Sequence, residues 1–183
     1  MTVFEHSFAL IGLVLGLALA HVLTELVRAV RTHGYKLLGL LTPMLAIFVL
    51  LDIGTWWGIL WGMRDILPNI WPVLGTGLFI SSLYYVAALL VFPESREDWL
   101  DLDDYYMRHR RVVLGLMFAC FAVTTALHSF LSSSLALDIV AVTYFIVLGL
   151  TWLAPWKRAN LIGLGALIAI DVWAFFYFDQ LAA

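Results

Sequence analysis

Charge is what this chain has least of. Only 13% of its 183 residues are charged, 63% are hydrophobic, and the mean hydropathy is +0.98. Soluble domains carry about 25% charged and about 45–50% apolar residues. A soluble fold of this length has too little interior to hide so much apolar surface. Cysteine is almost missing as well. Cys120 stands alone, which excludes an intrachain disulfide and a cysteine-based zinc site. Its apolar neighbours suit a small buried hydrophobe. The net charge of −3, without a long basic stripe, argues against a nucleic-acid partner. The opening "MTVFEH" has no Lys or Arg and contains Glu5, so it lacks the positive region of a signal peptide. The first apolar run therefore reads as a retained membrane span.

What the chain does have is long apolar runs. About 20 apolar residues cross a bilayer as a helix, and six runs reach that length: 7–27, 37–63, 70–92, 112–131, 135–155 and 161–181. The expected fold is an all-α bundle of six transmembrane helices in a single domain spanning residues 1–183, with the lipid bilayer as its surroundings. Breakers or charges punctuate the runs: "RTHGYK", "RDILPN", "SSS" and "WKRAN". Runs four and five would be too long for one span if joined, so a tight hairpin is expected at Ser132–Ser134.

Basic residues set the expected orientation. Arg28, Arg31, Lys36, Arg96, Arg108, Arg110, Arg111, Lys157 and Arg158 fall in or beside odd-numbered loops, and Arg64 alone falls on the other side. The positive-inside rule then puts the odd-numbered loops in the cytoplasm and both termini outside, which is periplasmic for a bacterial inner membrane. Trp61 and Trp71 near one boundary, and Trp99, Trp152 and Trp156 near the other, suit interfacial belts.

The third loop is the long one. Pro93 ends the third run, and Ser95 with Asp98 has capping-box spacing. A short interfacial helix is expected between the third and fourth spans, with Trp99, Leu102, Tyr106 and Met107 toward headgroups. Asp101, Asp103 and Asp104 read as a solvated face, with Asp104 paired to Arg108 at i, i+4. A single Asp cluster without a second one does not make a diphosphate–Mg²⁺ site.

Ionisable residues at depth are the candidate functional groups. At 1.5 Å rise per residue, Asp52 lies roughly 16 Å and Asp171 roughly 15 Å from the outer boundary, both near the midplane. His128 and Asp138 lie about 3 residues below that boundary, on either side of the expected hairpin. The four form a candidate proton or cation path. Each Asp could instead be bonded to a tyrosine, tryptophan or hydroxyl on a neighbouring helix. Nearer the cytoplasmic boundary, His21, Glu25 and Arg28 share a face of the first helix, with Glu25 and Arg28 close enough to snorkel. Gly12, Gly16 and Ala20 form a small-xxx-small row suited to helix packing.

Several activities lack their residues. His21 and His128 are separated by roughly 15 Å along the membrane normal, too far to share one haem iron. No His-rich cage, Gly-x-Ser-x-Gly elbow or His-Glu-x-x-His occurs, and no lysine lies within a run. No cofactor, metal or catalytic residue is expected, and an enzyme is the minority reading. Two classes remain: a small proton- or cation-linked transporter or channel, expected to be oligomeric, and a non-catalytic accessory subunit of a larger membrane complex.

Three stretches resemble an uncharacterised group of small bacterial multi-spanning proteins: "GLVLGLALAHVLTELVRAVR", "WWGILW", and "YYVAALLVFP" followed by "YYMRHRR". The resemblance covers spans one to four. It implies a bacterial inner membrane and carries neither an activity nor a role for Asp52.

Overall fold

A computed structural model describes residues 3–37, 39–64, 71–94, 99, 101–132 and 139–181. The described residues form six α-helices: α1 (Val3–Leu37), α2 (Leu41–Gly62), α3 (Trp71–Leu89), α4 (Leu102–Ser132), α5 (Ile139–Leu153) and α6 (Lys157–Leu181). No strand occurs among the described residues. Stretches of α1, α2, α4 and α6 are long and apolar enough to cross a membrane, whereas α3 and α5 contribute shorter apolar helices. The 15 residues of α5 cover about 22 Å at 1.5 Å per residue, short of a hydrocarbon core of about 30 Å.

The helix ends follow local chemistry. Pro43 sits in the first turn of α2, where a missing N–H costs nothing. Pro93 follows α3, and Pro155 separates α5 from α6. The outside of the bundle is apolar: Leu13 is 62% exposed, Ile162 73% and Phe176 76%. Such a surface fits a helical membrane protein, in which lipid rather than water covers the outer face.

Helix α2 is the hub. It packs against α1, α3, α4 and α6, while α1 lies along α3 and α5 bridges α4 and α6. Close approach depends on missing side chains. The Trp57 ring fills the place of a Cβ at Gly12, Ile11 does the same at Gly77, and the Thr151 hydroxyl does so at Gly163. Gly12 is thus used inside the chain. Among the described residues no packing neighbour lies within 4 Å of where a Gly16 Cβ would stand, and Gly16 and Ala20 are exposed.

The third loop departs from its expected layout. Residues 102–111 are not a separate interfacial helix but the first turns of α4, which runs unbroken to Ser132. Leu102 and Tyr106 are buried rather than turned toward headgroups. The reason is that the start of α4 tucks against α2 and α6. The Thr42 hydroxyl donates to the Leu102 carbonyl at 2.6 Å, and the Tyr106 hydroxyl donates to Asn160 Oδ1 at 2.7 Å. Asp101 caps α4 by accepting the Asp104 N–H at 2.9 Å. The Ser95–Asp98 spacing lies outside the described residues. Asp101 and Asp104 are exposed and Asp104 meets Arg108 at 3.3 Å, as a solvated face requires. Asp103 differs: its Oδ1 accepts the Leu41 N–H at 2.9 Å and caps α2 from another helix. Gly39 makes this approach feasible. It has φ +66, and a Cβ there would strike the Asp103 carboxylate.

Candidate functional site

Asp52 sits near the middle of α2, 5% exposed. Both of its oxygens are occupied. Tyr84 of α3 donates its hydroxyl to Oδ2 at 2.7 Å, and Tyr144 of α5 donates to Oδ1 at 2.5 Å. A carboxylate in an apolar interior is tolerable only with such donors. The ring of Phe121 lies 4.4 Å from that of Tyr144, and Trp56 lies 5.6 Å from Tyr84. The aromatic packing holds both phenols in place. Asp52 therefore has the tyrosine partners that were one of its two expected environments.

Asp171 of α6 is 2% exposed. It lies within electrostatic range of Asp52, Tyr84 and Tyr144. The two aspartates thus belong to one buried cluster, but their surroundings differ. Asp171 Oδ2 is fully buried and has no hydrogen-bond partner among the described residues. Thr55 Oγ1, one turn along α2 from Asp52, is likewise buried without a partner. Cys120 is completely buried and its thiol donates to the Ile80 carbonyl at 3.8 Å, as expected of a small hydrophobe.

One turn beyond Asp52, the indole N–H of Trp56 donates to Thr124 Oγ1 at 2.9 Å. That hydroxyl donates in turn to the Cys120 carbonyl at 2.8 Å. Trp56, Ile80 and Thr124, with Phe8, Ile11 and Leu127, line a cavity of about 30 Å³. That is room for a water or two by volume, but the lining is almost wholly apolar.

The other candidates fall elsewhere. His128 is half-buried on α4, one turn past Thr124. Asp138 and the expected hairpin at Ser132–Ser134 fall largely or wholly outside the described residues, and so does the contact between His128 and Asp138. On α1, Glu25 accepts a hydrogen bond from Arg28 at 2.8 Å, and the Arg28 side chain is 61% exposed. The two side chains thus form an ion pair within one face of α1. His21 is half-buried on the same helix. Among the described residues no group of three or more His, Cys, Asp or Glu could hold a metal.

Tyr84 and Tyr144 are the site residues that the sequence reading missed by name. The depth ruler used for the aspartates reaches them too. Tyr84 lies about 8 residues inside Phe92, and Tyr144 about 9 before Leu153, hence roughly 12–14 Å from that boundary. Asp52 lies roughly 16 Å from the same boundary, counted from Leu41. Applied to every polar side chain, the ruler places the three at nearly one depth.

No protein-family model matches this chain, and no curated protein or solved structure matches it.

Proposed function

We propose that the chain is a six-span inner-membrane protein that carries protons through the Asp52–Asp171 cluster, as a small transporter or channel. The observation that carries this reading is Asp171 Oδ2, buried and unpartnered beside a second carboxyl. Asp52 with its two tyrosines is a complete structural unit and needs no neighbour. A second carboxyl next to it adds cost at such a depth, and an apolar residue would pack as well. A group retained at that cost suits a proton binder. A proton is favoured over a larger cation because Tyr84 and Tyr144 already occupy both Asp52 oxygens. His128 and Asp138 would lie on the route to the outer boundary. The distribution of basic residues supports cytoplasmic odd-numbered loops and outer termini.

The test is proton flux into liposomes loaded with a pH-sensitive dye and driven by a potassium diffusion potential. Asp171→Asn abolishes flux while the protein still folds. Undiminished flux in Asp171→Asn and in Asp52→Asn would refute the reading.

A second reading, an accessory subunit or homo-oligomer, is favoured by the open row on α1. Gly16 and Ala20 are exposed, and nothing among the described residues covers Gly16. Small residues at a lipid-facing position let another helix approach closely. Co-purification of a partner after mild detergent extraction, lost in Gly16→Leu, would support it. Isolation of an unaccompanied monomer would count against it.

A further inference from the structure

A second polar cluster lies where α4, α5 and α6 meet, at the opposite end of the bundle from Arg64. Arg110 is only 5% exposed. Its Nη1 donates to the Met107 carbonyl at 2.6 Å, and its Nη2 to the Ala154 carbonyl at 2.8 Å in the turn between α5 and α6. Its Nε is buried with no hydrogen-bond partner among the described residues. Asn160 binds the same turn, donating to the carbonyls of Ala154 and Trp156 at 2.9 Å each. The Trp152 indole donates to the Arg111 carbonyl at 2.8 Å and ties that part of α4 to the end of α5.

This framework brings four basic residues to one junction. Lys157 and Arg158 stand in the first turn of α6, the Arg111 backbone is bonded to Trp152, and the Arg110 guanidinium reaches the turn from within. Lys157, Arg158 and Arg111 are exposed. None of the four has an ion pair among the described residues. The first turn of α6 contains no acidic residue. Cations at a helix N-terminus oppose the helix dipole, and the free N–H groups there favour an anion. Two tryptophans frame the cluster. Trp156 is 71% exposed and Trp152 half-buried. Leu150 on α5 and Ile162 on α6, 65% and 73% exposed, offer apolar surface within two turns of it.

We propose that this junction binds the phosphate headgroup of an anionic phospholipid, with Lys157, Arg158 and Arg111 as its ligands. Charge complementarity selects the occupant: unpaired cations at an interfacial depth, beside exposed apolar helix surface, match a lipid with a phosphate and acyl chains. Arg110 positions the turn and adds its charge from below. The inference rests on the membrane-embedded reading, and not on proton transfer through Asp171.

The experiment is native mass spectrometry of the full chain in detergent, titrated with dioleoylphosphatidylglycerol or dioleoylphosphatidylcholine. The anionic lipid is retained in preference to the zwitterionic one. About fivefold in affinity is expected per basic residue, so Lys157→Gln with Arg158→Gln weakens phosphatidylglycerol binding about 30-fold. Arg111→Gln alone weakens it about fivefold. These side chains are exposed, so the variants keep the fold. Arg28→Gln with Arg31→Gln removes the same charge elsewhere and leaves binding unchanged. Equal affinity for the two lipids would overturn the proposal. So would an equal loss in the Arg28/Arg31 variant, which marks a diffuse charge effect. Competition by inorganic phosphate alone at millimolar concentration would also overturn it, since the site would then take a free anion.

Discussion

Removing one hydroxyl from the Asp52 cluster tests how its carboxylate is held. In Tyr144→Phe the ring stays, so its packing 4.4 Å from Phe121 is preserved and no cavity larger than an oxygen opens. What is lost is the hydrogen bond to Asp52 Oδ1, and burial of Asp52 keeps bulk solvent from replacing the donor. Hydrogen bonds to charged groups contribute about 1.5–3 kcal/mol. We expect a loss of about 2 kcal/mol, or about 4–8 °C in Tm for a chain of this size. Tyr84→Phe removes the bond to Oδ2 and has a similar cost. Thermal unfolding in a mild detergent, followed by circular dichroism, reads both. A double-mutant cycle with Asp52→Asn isolates the interaction, with an expected coupling of about 1–2 kcal/mol. If both tyrosine variants unfold within about 0.5 kcal/mol of the parent, at the level of an inconsequential surface change, the two bonds do not hold the carboxylate and the reasoning fails.

Three further outcomes follow from the same structure. Asp171→Leu is expected to leave stability unchanged or raise it by about 1 kcal/mol, because the lost carboxyl oxygen had no partner and an apolar replacement suits the depth; marked destabilisation in the same unfolding assay would reveal a bond essential to the fold. Gly39→Ala is expected to cost at least about 1–2 kcal/mol, because φ there is +66 and the new Cβ meets the carboxylate that caps α2; Asp103→Ala, which loses only the cap, is expected to cost about 1 kcal/mol.

The six apolar runs and the six helices correspond within a few residues at many of their ends, since run length and breakers are local properties. The run expected at 37–63 becomes α2 at Leu41–Gly62, and the one at 70–92 becomes α3 at Trp71–Leu89. The first and the fourth differ most: α1 continues through "RTHGYK" to Leu37, and α4 begins at Leu102. Residues 102–111 carry five charges and read as a short interfacial helix of the third loop, yet they continue α4 because Tyr106 and Arg110 find partners on α6 and at the end of α5. Nothing local to "YYMRHRR" announces those partners.

The depth of Asp52 and Asp171 could be counted from the sequence, because the rise of a helix per residue is fixed. Their inequality could not. Which carboxyl receives two phenols and which receives none depends on how each helix is rotated and which neighbour it meets. Gly12 and Gly16 show the same limit. They are equivalent in the small-residue row, but Trp57 covers one and leaves the other open. Composition and run length determine that this chain is helical and suited to a membrane, because those follow from solvation and from the reach of a helix. Only the tertiary packing decides which polar atoms are satisfied, because a hydrogen bond acts over about 3 Å and its partner here stands on a different helix.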